Sequence, residues 1–76
     1  MELEKFVANF AAQFDETDAS IFTAETKFRD VEEWSSILAL SLIAMVDEEY
    51  DVKLKGDDIR NSQTVNDLYE IVKSRK

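Results

Sequence analysis

A chain of 76 residues has room for one small hydrophobic core, and without cysteine or histidine it forms neither a disulfide nor the usual zinc site. Its 17 acidic and 9 basic residues give a net charge of −8, which opposes nucleic acid and anionic membrane surfaces and favours partners with basic patches. With no proline and a single glycine, Gly56, close-packed helices are what remains to hold such a chain together.

The first segment, MELEKF, lacks the basic-then-apolar order of a signal sequence, which points to a cytoplasmic protein read as one domain over residues 1–76. Leu3, Phe6, Val7, Phe10, Ala11 and Phe14 recur at three- and four-residue steps. That stripe predicts a first helix over residues 2–14, with Glu2 and Glu4 complementing its N-terminus and the three phenylalanines in the core. Residues 15–34, DETDASIFTAETKFRDVEEW, then form a long polar connection without helical or strand period. Ile21, Phe22, Phe28, Val31 and Trp34 read as anchors pinning it across the helices, and Asp30, Glu32 and Glu33 as a solvated acidic cluster.

A second helix is expected from Ser36 to Tyr50, with Ser35 as its N-cap by residue type. At about 100° per residue, Ala39, Leu42, Ile43, Val46 and Tyr50 fall within about 50° of one direction, the expected core face. Ser36 would then sit at the edge of that face, about 60° from its centre. Ile37, Ser41, Ala44 and Glu48 lie opposite, flanked by Leu40 and Met45. A helix needed only for packing would carry charges there; this one either exposes Ile37 and Leu40 or covers them with the preceding loop. The ten residues Ile37 to Val46 are about half of what a bilayer span requires.

After Tyr50, Val52 and Leu54 can anchor a charged connection to the core, and residues 57–61 can make one helical turn with Ile59 inward. Thr64 opens a last helix with Asp67 at capping-box spacing, Val65, Leu68, Tyr69, Ile71 and Val72 as core stripe, and Lys73, Arg75 and Lys76 at the favourable end of the dipole. Three main helices, one short one and a long first loop describe an all-α, small antiparallel four-helix bundle.

Catalytic chemistry has little to build on. The acids of DEEYDVKLKGDD lack the order of a calcium loop, and no other metal site is apparent. Neither Ser35 nor Ser36 has a histidine or an evident lysine to activate it. No catalytic residue is assigned and an enzyme is not expected.

The segment Trp34-Ser35-Ser36-Ile37, the helix behind it, the acids DEEYDV, the preceding TAETKFRDVEEW and the final TVNDLYEIV resemble the acyl carrier protein family over nearly the whole chain. The family pattern sets a serine, preceded by an acidic or polar residue and followed by a leucine-like one, at the start of the second helix of a four-helix bundle. The resemblance implies that Ser36 receives 4′-phosphopantetheine from coenzyme A, through a phosphopantetheinyl transferase. The thiol of that arm would carry acyl groups as thioesters for fatty acid or related acyl or polyketide biosynthesis. It further implies a monomer that docks on acyl-transferring and chain-elongating enzymes with basic or apolar patches, here through Ile37, Leu40, Ala44, Asp47 and Glu48. Two departures stand out: Ser35 replaces the usual aspartate, and Leu38 and Ser41 occupy positions where the family carries acids for its partners. An aminoacyl or peptidyl carrier of a specialised pathway is an alternative, as is an acidic helical adaptor that keeps the fold without the arm.

Overall fold

The structure, a computed structural model, describes residues 3–76; Glu2, expected at the first helix N-terminus, lies outside them. Four α-helices follow one another: α1 (Leu3–Ala11), α2 (Ser36–Tyr50), α3 (Gly56–Arg60) and α4 (Val65–Arg75). The all-α bundle expected from the periodicities is the fold found.

Helix α1 is shorter than its apolar stripe. The backbone N–H groups of Gln13 and Phe14 bond to the carbonyls three residues back, Phe10 (3.1 Å) and Ala11 (3.0 Å), so the chain tightens before turning away. This turn leaves Phe14 in the core, 5.8 Å from the Phe10 ring and 4.7 Å from that of Phe22. Phe6 and Phe10 are fully buried, as the three- and four-residue steps require.

The long connection holds two single turns of 3-10 helix, Ala19–Ile21 and Phe28–Asp30. Of the five expected anchors, Phe22 and Phe28 are buried, and Val31 and Trp34 are half-buried. Ile21 is 50 % exposed instead: the Asp18 carboxylate caps the first turn at the Ser20 N–H (2.9 Å), and the turn sends Phe22 inward. The acidic cluster also needs correction. Asp30 and Glu32 are solvated, whereas the Glu33 carboxylate accepts from the backbone N–H groups of Asp15 (3.0 Å) and Glu16 (3.1 Å) and from the Thr17 hydroxyl (2.6 Å). One carboxylate thus ties the start of the connection to its end. Between them, Ala24 and Thr26 offer their carbonyls to the N–H groups of Asn66 (2.8 Å) and Val65 (3.1 Å), first-turn donors of α4 that have no partner within their own helix.

An aromatic series runs through the centre. Tyr69 of α4 and Tyr50 of α2 meet the Phe6 ring at 5.5 and 5.7 Å. Phe6 leads to Phe10 (6.4 Å), Phe10 to Phe28 (5.5 Å), and Phe28 to Trp34 (5.0 Å). Such tilted and edge-on pairs add about 0.5–1.5 kcal/mol each beyond their area burial. The series ends two residues before Ser36, so the position of the α2 N-terminus is set by the core itself.

At the other end, Thr64 caps α4 through the reciprocal bonds with Asp67 (3.1 Å each way), and Ile59 of α3 is buried. Of the α4 stripe, Val65, Leu68, Tyr69 and Val72 are buried and Ile71 only half-buried. The Asp58 carboxylate grips Arg75 with two bonds of 2.7 and 2.8 Å, joining α3 to the end of α4. This pairing, foremost the hydrogen bonds from Arg75, holds the Asp58 carboxyl below its ordinary value.

Candidate functional site

Helix α2 begins where its sequence places it. Ser35 has extended backbone (φ −158°, ψ 172°), and its Oγ accepts from the Leu38 N–H at 3.4 Å, which makes it the N-cap. Ser36 is therefore the first helical residue. It is exposed, and its hydroxyl has no hydrogen-bond partner among the described residues. The two serines do different things: one closes the helix end, the other is left free.

The buried face of α2 is rotated from the expected one. Leu38, Leu42, Met45, Val46 and Tyr50 are buried, whereas Ala39 and Ile43 are half-buried. At about 100° per residue the buried set centres near Leu42, about 50° from the face the spacing suggested. Ser36 thus lies about 120° from the core direction and not at its edge. Leu38 belongs to the core and not to a partner surface, Met45 turns inward, and half-buried Ser41 stands at the margin. The reason is the unequal cover on the two sides. Asn9 of α1 and Ala12 and Gln13 just past its end share a cleft with Met45, while the single turn of α3 leaves Ala39 and Ile43 lining an open groove.

Opposite the buried face, Ser36, Ile37, Leu40, Ala44, Asp47 and Glu48 fall within about 60° of one direction. Ile37 is 75 % exposed and Leu40 66 %, so the preceding loop does not cover them. Ala44 and Glu48 are exposed as well, and Asp47 is half-buried with its carboxylate paired to Lys53 Nζ at 3.2 Å. The structure gathers on one ridge the residues that the sequence marks as candidates.

Two grooves flank this ridge. The first, about 440 Å³, opens beside Ser36 between α2, α3 and the second 3-10 turn. Trp34, Ala39, Leu40, Ile43 and Ile59 make it largely apolar, and Arg29 and Arg60 add charge. The second, about 330 Å³, lies between α1 and α2, where Ala44 and Glu48 meet Asn9, Gln13 and Glu49. Sequence periodicity could not find Arg29, Arg60 or Ile59 as neighbours of Ser36, because they come from separate turns with no shared repeat. Glu33, which braces the loop leading to this site, has its carboxyl held below the ordinary value of 4.5, first by the Thr17 hydroxyl and then by the backbone N–H groups it accepts from.

The family model described as the phosphopantetheine attachment site matches residues 5–72, more than four fifths of the chain. The chain belongs to the phosphopantetheine-binding carrier family. No curated protein and no solved structure matches it. Membership brings with it a covalently attached 4′-phosphopantetheine, whose terminal thiol forms thioesters with the carried group. Carriers of this family work with a phosphopantetheinyl transferase and with acyl-handling enzymes, and are in general not catalysts themselves. The residues present fit such a group: an exposed, unpartnered hydroxyl on the first turn of a 15-residue helix, beside an apolar groove with cationic side chains. Among the described residues no helix is long and apolar enough to cross a membrane, and no cluster of acids is placed to hold a metal ion.

Proposed function

We propose that the chain is an acyl carrier domain over residues 1–76, with 4′-phosphopantetheine attached to Ser36, serving fatty acid or related acyl or polyketide biosynthesis in the cytoplasm. The observation that carries the residue assignment is the free hydroxyl of Ser36 at the start of α2, where Ser35 has already taken the capping task. In loading, Ser36 Oγ attacks the pantetheine-side phosphorus of coenzyme A. The P–O bond to the nucleotide half breaks, adenosine 3′,5′-bisphosphate leaves, and the serine proton passes to a base of the transferase. Among the described residues, none of those lining the groove beside Ser36 is a carboxylate, which is consistent with a transferase base taking that proton. The first-turn N–H groups and the positive end of the α2 dipole favour the negative charge that remains on the attached group.

Docking falls to the ridge. Ile37, Leu40 and Ala44 supply apolar contact on the ridge that Ser36 heads, and Asp47 and Glu48 supply charge about three turns from Ser36. From Ser36 to Val46 the helix has no charged residue, so partners meet an apolar surface first and an acidic one only further along. That pattern favours enzymes of a specialised acyl pathway over partners that rely on acids at the head of this helix. Incubating the purified chain with coenzyme A and a broad-specificity transferase, then recording intact mass, tests the assignment. A gain of one phosphopantetheine, absent from Ser36→Ala, is the expected result; no gain, or a gain retained in Ser36→Ala, overturns it.

A further inference from the structure

The groove beside Ser36 contains an unusual electrostatic feature for so acidic a chain. Two of its three arginines, Arg29 and Arg60, line this one groove. Arg60 is paired with Asp57 on its own helix. Arg29 is exposed and meets no carboxylate among the described residues, although Asp30 follows it directly and acids outnumber bases by 17 to 9. The third arginine, Arg75, is held by Asp58, and Lys53 by Asp47. A cation left unpaired in such surroundings is available to an anion that arrives later. A guanidinium is suited to that task, because its planar set of donors matches the oxygens of a phosphate.

Resting on the assignment of Ser36, we propose that Arg29 is a positioning residue for the arm, donating hydrogen bonds to its phosphodiester and so turning the arm toward the Trp34–Ile59 groove. The covalent bond to Ser36 Oγ keeps the phosphodiester at the mouth of the groove that Arg29 lines. The segment bearing Arg29 is braced by Phe28, fully buried between the Phe10 and Trp34 rings, so the guanidinium is presented from a fixed turn. Arg60, already shared with Asp57, adds positive potential from α3. A carboxylate at the end of the carried group is the other anion that could reach this guanidinium, and the experiment separates the two.

The test compares wild type, Arg29→Gln and Arg29→Lys in apo form, as the loaded protein without cargo, and as loaded protein carrying either a succinyl or a butyryl thioester. Side-chain Nε–H resonances of arginine and the ³¹P resonance of the arm are followed. Intact mass first establishes that each variant loads; failure of wild type to load would count against Ser36, not against Arg29. The expected result is that loading alone shifts the Arg29 Nε–H signal, and that Arg29→Gln moves the ³¹P resonance and its relaxation toward those of free phosphopantetheine. Arg29→Lys, which keeps the charge without the fork, should fall between them, and added salt should weaken the wild-type shift. A ³¹P resonance indifferent to Arg29→Gln in protein that loads normally would overturn the proposal. So would an Nε–H shift that appears only with the succinyl cargo, which would give Arg29 to the cargo carboxylate.

Discussion

Leu40 and Leu42 stand two residues apart on α2 and differ in almost everything that matters: Leu42 is 1 % exposed, Leu40 66 %. Truncating Leu42 to alanine removes buried methyl groups and leaves a cavity, which costs about 2–5 kcal/mol. A chain of this size has about 4–11 kcal/mol of total stability, so the change takes a large part of it. With an unfolding entropy near 160 cal/mol/K for 76 residues, Leu42→Ala should lower Tm by about 12–30 °C. Leu40→Ala removes nothing from the core, and its effect should stay within about 0.5 kcal/mol, or about 3 °C. Its cost should appear elsewhere. An apolar anchor at the centre of an interface loses about 1–2 kcal/mol on truncation, so acyl transfer from a cognate partner enzyme should fall about five- to thirtyfold in kcat/KM. Thermal melts followed by circular dichroism, together with transfer assays on the loaded protein, measure both. If Leu40→Ala destabilised the fold as much as Leu42→Ala, the outer face of α2 would be covered in solution, and the ridge would not be a docking surface.

Further outcomes can be checked on the same material. Ser35→Ala removes the α2 cap and should cost about 0.5–2 kcal/mol while still allowing loading, whereas Ser36→Ala should leave the urea midpoint unchanged and abolish the mass gain. Glu33→Gln keeps one acceptor oxygen but sets an amide NH₂ against N–H or hydroxyl donors, so it should loosen the loop before Trp34, visible as faster amide exchange at Asp15 and Glu16. Because folding lowers the Glu33 pKa, the wild type's advantage over Glu33→Gln should be fully present above the ordinary value of 4.5 and vanish as pH falls through the lower folded value. An advantage that persisted in acid would show that the carboxylate charge is not what holds the loop. Added salt should raise Tm by screening the −8 net charge, and a melting curve indifferent to salt would show that self-repulsion is minor.

Much of the fold was legible because α1 and α4 carry apolar residues on one side only. Phe6, Phe10 and Phe14 at four-residue steps leave a single possible core face, and Thr64 with Asp67 marks the start of α4 in the chain itself. Helix α2 is different. Nine of the ten residues from Ile37 to Val46 are apolar, so they surround the helix and no period selects the buried side. What selects it is the neighbour: the end of α1 covers the Met45 side, and the one-turn α3 leaves Ala39 and Ile43 half open. The same limit applies to the site. Ser35 and Ser36 are recognisable from residue type and order, but Arg29 and Arg60 reach the groove through the tertiary arrangement of two short turns. Glu33 reads as one more solvated acid, because a carboxylate that satisfies backbone N–H groups 17 and 18 residues away and a hydroxyl 16 residues away leaves no local trace.

An apolar ridge on so small a protein invites self-association, and the acid excess is the physical counterweight. Copies that approach ridge to ridge bring two bodies of charge −8 together, and Asp47 and Glu48 border the contact on each. On the proposed docking, a partner with a basic rim would meet attraction at the same place, so one charge distribution would reject like copies and admit enzymes. The aromatic series makes this arrangement tolerable for folding. With Phe6, Phe10 and Phe28 fully buried and joined to Tyr50, Tyr69 and Trp34, the core is closed from α1, α4 and the loop together with the inner face of α2. The outer face of α2 is then not needed for stability. It can stay apolar and exposed beside Ser36, where the proposed docking requires it.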